Sequence, residues 1–410
     1  MPIRRRVRHS SKRLIISFIK NTLRIRQRRL SFARGDDSTM TELCGVAWNH
    51  RRCWGPLEDD PVVQWSRRSL YSFGEGDLSE FTPQNDLIIY DHPFTGDIGR
   101  DGLMLDLLPY LSAGDVELLE GNQVGQSYKS YFFEGGLYGL PIDAAAVTAA
   151  WRPDLLAEIG ADVPDTLDDV VSLGRAAKAK GKWVGWAAKP TDLMCSYVTI
   201  AASLGVAPGH DDGPFLSREI SLQVVELMRR LTEIAHPSSM TWNPIQLFDY
   251  MSSNDDIVYT PFAFNYVNYA TASSRQLRFA SVPRAAAGLQ ARGLLGGAGI
   301  AVSAQSRNPQ AAVAQALRLV DPAFQAGDYV RKGGQPGMRA AWVSREADAA
   351  TQGFLSSCLP AMDAAYLRPN IPGFVPFFHD ATHEITKAVT GKITHEAFWS
   401  WQTTTYDALR

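Results

Sequence analysis

Cysteine is scarce: the chain has only Cys44, Cys53, Cys195 and Cys358 in 410 residues, with no Cys-x-x-Cys pair. This spacing fits neither a thiol-ligated zinc site nor a disulfide scaffold, and it predicts buried free thiols. No run approaches the roughly 18 consecutive apolar residues of a helical membrane span. His-Glu-x-x-His, Gly-x-Ser-x-Gly, Gly-x-Gly-x-x-Gly and the Lys-Ser/Thr of a P-loop are all missing. The local signatures of zinc peptidases, serine hydrolases, dinucleotide enzymes and P-loop proteins are therefore lacking. His379 and His383 lie four apart beside Glu384, on one helix face, but no third ligand is signalled. The reading is a surface pair, with no metal and no cofactor. Carboxylates are plentiful, which keeps a two-carboxylate cleft enzyme open as an alternative.

Basic charge is sparse outside one segment. Residues 1–39 carry twelve Lys/Arg and two Asp, leaving 29 basic against 41 acidic residues in the remainder. An acidic body is a poor partner for nucleic acid. The arm has a charged start, but its apolar run, Leu14 to Ile19, is six residues long and ends at Lys20. A secretory core needs roughly 7–15 uninterrupted apolar residues. Three readings stand: untranslated sequence before a start at Met40, a degenerate export signal, or a basic arm that meets anionic lipid or nucleic acid.

What is present alternates. Short apolar runs, "CGVA", "VVQW", "DLIIYDHP", "KWVGWAA", "DDIVYTPFAF" and "RGLLGGAGIAVS", read as strands separated by helical sequence. "PDTLDDVVSLGRAAKAKG" predicts a helix capped by Thr166 with Asp169 three positions on, stopped at Gly181. Asn308-Pro309 opens another. This is the pattern of an α/β protein. A chain of 410 residues exceeds one compact core and implies two lobes. Aromatic and polar residues follow the apolar runs: Trp48, Asn49 and His50, then Asp91 and His92, then Trp183 and Trp186, then Tyr259, Phe262, Phe264 and Tyr266. Ligands bind outside the carboxyl ends of strands in open α/β sheets. Aromatic faces mixed with polar groups there suit a sugar or polyol.

"GLYGLPIDAAAVTAAWRPDLLAEIGADVPDTLDDVVSLGRAAKAKG" resembles the signature stretch of the carbohydrate-type extracellular solute-binding proteins of ABC transporters, family 1. "GGAGIAVSAQSRNPQAAVAQAL" is similar to that family's later Gly-rich strand and helix, and "GGQPGMRAAW" and "LRPNIPGFVPFF" to one of its branches. The resemblance covers roughly 41–410 and leaves out the arm. It implies a two-lobe periplasmic-binding-protein fold of type II, with lobe 1 formed by 41–142 plus 284–320 and lobe 2 by 145–281 plus 324–410. It implies a monomer that binds a small molecule in the interlobe cleft, delivers it to permease subunits, and works in the periplasm. The sequence offers no clear signal peptide, which keeps a cytoplasmic place open.

By position, the resemblance implies that Trp48, Asn49, His50, Asp91 and His92 line the first lobe. Asp143 would lie at the first crossover, beside Pro141, where "LPID" is read as a strand end and its carboxylate would accept from ligand hydroxyls. Tyr259 and Phe262 would come from the second lobe, and Gly296 and Gly297 would allow close backbone approach. Arg339, Trp342 and Arg368 complete the wall, the two arginines having an interdomain salt bridge as their alternative. One segment departs from the pattern. "GPLEDDPVVQW" leaves little room for the first crossover helix, which is either cut to one turn or lost, with one sheet face uncovered. A non-exported sensor or decayed paralogue therefore stands as the alternative to the importer component.

Overall fold

The structure is a computed structural model and describes residues 42–210, 212–272 and 274–409; the basic arm lies outside the described residues. Its frame is an eight-stranded sheet: β1 (Leu43–Trp48), β2 (Val63–Arg68), β3 (Leu87–Asp91), β4 (Leu140–Trp151), β5 (Trp183–Val184), β6 (Ile257–Phe264), β7 (Arg278–Ala280) and β8 (Leu295–Val302). The order is β2-β1-β3-β8-β4-β6-β5, with β7 paired to β4. β1 runs parallel to β2 and β3, and β5 to β6. β8 runs antiparallel to β3 and β4, and β4 to β6 and β7. Helices fill most connections, so the architecture is α/β.

β4 changes partners along its length. Leu140–Ala146 pairs with β8, and Val147–Trp151 pairs with β6 and β7. "LPID" thus opens this strand rather than ending one. Every residue from Leu140 to Ala150 is buried. The run Ala144–Ala150 has few of the branched or aromatic side chains that announce a strand. Small side chains nonetheless suit a strand covered on both faces. Tyr259, Phe262 and Phe264 likewise belong to β6 itself, not to a loop beyond it. Pro261 lies opposite the break in β4–β6 pairing, where a missing N–H is tolerated.

Local helix signals hold. Thr166 and Asp169 cap the Leu167–Ala179 helix reciprocally. The Pro309–Leu319 helix begins after Asn308. The first crossover is one α turn, Arg51–Trp54, and one 3-10 turn, Gly55–Leu57. Cys53 and Leu57 of these turns are buried. Part of the cover that a longer helix would supply comes from β2: Trp65 lies opposite Gly45, and a Cβ there would meet its ring at 2.6 Å. Arg67 in turn stacks on Trp54, 3.8 Å from the ring centroid.

The apolar interior falls into two clusters that both touch Phe264. The first gathers β1, β3 and β8 with Phe248, Tyr266 and Phe279. The second is built on the helices Pro190–Ser203, Arg218–Ile234, Phe374–Val389 and His395–Asp407. No helix among the described residues is long and apolar enough to cross a membrane.

Candidate ligand-binding site

β1 and β3 are parallel neighbours, so Trp48 and Asp91 stand at the same, carboxyl edge of the sheet. Asp91 and Asp143 both pair with Ala298 of β8, one from each side. The two carboxylates therefore share a row and a face, roughly 10 Å apart at the backbone.

The chain turns sharply after β1. His50 caps the one-turn helix, its Nδ1 accepting from the Arg52 amide at 3.2 Å. The imidazole stacks on Trp48 with centroids 5.2 Å apart and meets Tyr266 edge-on at 4.9 Å. Phe73 stacks on Trp48 at 5.1 Å. Burial, then the charge of Arg52, lowers the His50 pKa to about 4, so the ring is neutral at pH 7.

The same turn sends Arg52 inward. Its Nε donates to Asp143 Oδ2 at 2.6 Å, Nη2 donates to Asp143 Oδ1, and Nη1 donates to the Asn265 carbonyl at 2.8 Å. The guanidinium lies over Tyr266, 4.6 Å from its centroid. Burial works against the Arg52 charge, but Asp143 outweighs it and holds the guanidinium above its ordinary value. Burial pushes the Asp143 carboxyl up, and Arg52 pulls it part of the way back. Both carboxylate oxygens of Asp143 are committed to Arg52.

Asp91 is held differently. Its Oδ1 is 4.0 Å from Arg368 Nη2, beyond hydrogen-bond reach. Burial pushes its pKa up to about 6, with Arg368 pulling it down. His92 is fully buried, and its Nε2 lies 3.1 Å from the Leu295 carbonyl and 3.2 Å from Arg368 Nη2. Burial, then Arg368, puts its pKa well below 6.5. Nε2 thus faces both the Leu295 carbonyl, which only accepts, and Arg368 Nη2, which only donates, so these contacts do not fix the tautomer. Among the buried polar atoms in this quarter with no hydrogen-bond partner within the protein are Trp48 Nε1, Asp91 Oδ1, His92 Nδ1 and Arg368 Nε.

The structure thus brings together Trp48, His50, Asp91, His92, Asp143 and Arg368. Asn49 is exposed. Tyr259 and Phe262 are buried in the second cluster, because β6 is covered on both faces. Gly296 faces the Phe264 ring, 2.5 Å from where a Cβ would stand. Gly297, at φ +117°, is pressed against the Asp143 carbonyl. Both close approaches are thus to protein groups. Trp342 donates to the Pro336 carbonyl at 2.8 Å inside the first cluster. Arg339 pairs with Asp363 and donates to the Gln123 carbonyl at 3.0 Å.

Sequence reasoning did not single out Arg52 or Asp192, and it named Tyr266 only among the aromatics that follow the apolar runs. Arg52 was readable only by asking where a one-turn crossover aims its second residue. Asp192 opens the Pro190–Ser203 helix, and its pKa is pushed up to about 7, by burial first, with Lys189 lowering it and Glu75 raising it. Beyond burial, Asp192 and Asp91 both raise the Tyr266 hydroxyl, and Asp192, Asp91 and Arg368 all act on the Cys195 thiol. Among the described residues no cluster of three or more His, Cys, Asp or Glu could hold a metal ion, and His379 and His383 meet only edge-on at 5.4 Å.

A search of curated proteins gives no significant match. Solved structures match over nearly their whole length. A maltose-bound MalE3 from T. maritima is 17% identical, with a TM-score of 0.77 over 90% of this chain and 100% of that one. A ribitol complex of an ABC transporter solute-binding protein from Agrobacterium radiobacter is 16% identical, with a TM-score of 0.76 over 90% and 99%. A D-mannitol complex of such a protein from Agrobacterium vitis is 15% identical, with a TM-score of 0.69 over 90% and 98%. These likenesses establish the two-lobe solute-binding fold. The family model described as bacterial extracellular solute-binding protein matches residues 72–321. That match spans more than half of the chain, which therefore belongs to the bacterial extracellular solute-binding proteins, a family that carries ligands rather than transforming them.

Proposed function

We propose that the protein binds a sugar or sugar alcohol between its lobes and delivers it, as a monomer outside the cytoplasmic membrane, to the permease of an ABC importer. The observation that carries this reading is the group of orphaned buried polar atoms on Trp48, Asp91, His92 and Arg368. Trp48 Nε1 and Arg368 Nε are donors, Asp91 Oδ1 is an acceptor, and His92 Nδ1 takes the role its tautomer leaves it. Each buried polar atom without a partner costs free energy, so such a group calls for a partner that both donates and accepts. Vicinal hydroxyls do both. A hydroxyl can bridge the 4.0 Å between Asp91 and Arg368, and the neighbouring rings offer faces for C–H patches.

In this reading Trp48, His50, Asp91, His92 and Arg368 touch the solute, with Tyr266 and Asp192 beside it. Asp143, Gly296, Gly297, Tyr259, Phe262 and Trp342 support the walls from behind. Lobe boundaries near 142–145 and 281–284 belong to the same proposal, and the partner change within β4 supports the first of them. Bound solutes in structural neighbours, maltose, ribitol and D-mannitol, support the ligand class.

The test is a thermal-shift screen of these three and related sugars and polyols, followed by calorimetric titration. A solute at 100 times its Kd adds about 2.7 kcal/mol of stability. Asp91→Asn should weaken that solute about tenfold or more. Stabilisation by another chemical class alone, or unchanged affinity in Asp91→Asn, would refute the reading.

A further inference from the structure

Glu75 ends the short helix Leu70–Glu75, whose Phe73 belongs to the first apolar cluster. Its carboxylate reaches two helices of the second cluster. It accepts from Thr191 Oγ1 at 3.0 Å and lies 3.6 Å from His379 Nε2. Thr191 opens the Pro190–Ser203 helix, and His379 lies in the first half of the Phe374–Val389 helix, which packs against it. One side chain therefore ties an element of one cluster to two elements of the other. These contacts stand beside the proposed site, because Phe73 stacks on Trp48. They involve protein groups only.

We propose that Glu75 is a positioning residue for solute binding, a latch that holds the two lobes together over the site whether or not solute is bound. The charged groups around it set opposing trends. His379 attracts it when protonated, and Asp380, 3.7 Å from His379, competes for the same imidazole. Asp192 repels it, and Lys189 offsets Asp192. Removing the latch should open the cleft; removing the repulsion should close it further. The site's solute enters only through the proposed function, so the latch is tested without any.

The experiment is small-angle scattering on the full chain in solute-free buffer, with thermal midpoints measured alongside. The parent should scatter as the compact form. Glu75→Ala and Thr191→Val should each enlarge the radius of gyration, with the open-to-closed ratio rising about tenfold for loss of a hydrogen bond to a charged group. Glu75→Gln keeps an acceptor for Thr191 and should open less. Asp192→Asn should be at least as compact as the parent. Midpoints close to the parent's would separate lobe opening from a folding defect. A solute-free parent that is already open, or Glu75→Ala and Thr191→Val variants as compact as the parent, would overturn the latch. Neither outcome would bear on sugar binding.

Discussion

Arg52→Met is the sharpest perturbation of the site's foundation. Arg52 and Asp143 have side chains only 4% and 2% exposed, so solvent screens neither. Arg52 makes three hydrogen bonds, two to Asp143 and one to the Asn265 carbonyl. Methionine keeps most of the stem volume and removes the charge and every donor. Asp143 is then buried with no cation against it. Deleting one partner of a buried pair costs about 3–5 kcal/mol. That is a large share of the roughly 5–15 kcal/mol holding a typical domain. The loss should depend on pH, and its sign is fixed. Burial already pushes the Asp143 carboxyl up, and without Arg52 nothing pulls it back. A carboxyl raised in the folded state gives stability that is full below its unfolded value and lost as pH rises through the folded value. The penalty of Arg52→Met should therefore be largest at pH 8 and shrink toward pH 5, by at most about 1.4 kcal/mol per pH unit. Asp143→Asn in the Arg52→Met background removes the stranded charge, so the double variant should lose at least about 2 kcal/mol less than the sum of the singles. Urea denaturation at both pH values, followed by tryptophan fluorescence, measures all of this. Additive single losses, or a penalty equal at pH 5 and pH 8, would show that Arg52 does not hold Asp143 in solution.

The remaining predictions use other parts of the site. Asp91 and Asp192 are raised to about 6 and about 7, so their stability is full below about pH 4 and lost as pH rises past those values. The solute-free Asp91→Asn/Asp192→Asn variant should gain on the parent between pH 5 and pH 8 by roughly 4 kcal/mol, read as a change in urea midpoint. Equal pH profiles for parent and variant would contradict the buried charges. Trp48→Ala should cost about 3–5 kcal/mol of stability, because the ring is buried against Phe73 and His50. Trp48→Phe keeps the stack and loses Nε1, so it should weaken solute binding by about 1–3 kcal/mol in calorimetry, and unchanged affinity would remove Nε1 from the site. Gly45→Ala should cost about 1–3 kcal/mol through collision with Trp65 and Val63, and Trp65→Ala in the same chain should relieve the Trp65 part, leaving Val63 Cγ1 at 2.9 Å.

What the sequence made legible was local. The Thr166–Asp169 box needs only its own spacing, and the ends of β1 and β3 carry Trp48 and Asp91 in plain view. The two-lobe fold was legible through the family's motifs, of which the crossover and Gly-rich stretches fall within the matched region. What the sequence hid depends on partners distant in the chain. β4 is poor in strand-forming residues, and its identity comes from β8, β6 and β7 on its flanks. Tyr259 and Phe262 read as ligand-facing aromatics because they follow an apolar run, yet a strand covered on both faces turns such rings into core. Asp143 was expected to accept from ligand hydroxyls, but both its oxygens are held by Arg52, ninety-one positions away.

The short first crossover and the buried ion pair have one cause. A full helix between β1 and β2 would carry the chain away from the sheet edge before returning. One α turn and one 3-10 turn keep it there, and the second residue of that turn, Arg52, comes back over the strand end. It reaches Asp143 in the half of β4 that pairs with β8 and the Asn265 carbonyl just beyond β6. Those are the strands between which β4 changes partners. The cation supplied by the shortened crossover therefore joins the β1 edge to the segment where β4 changes partners. It also holds Tyr266 against His50 and Trp48 through its guanidinium face. A crossover that looks like a deletion in the sequence is, in the folded chain, what ties the Trp48, His50 and Tyr266 rings to the Asp143 carboxylate.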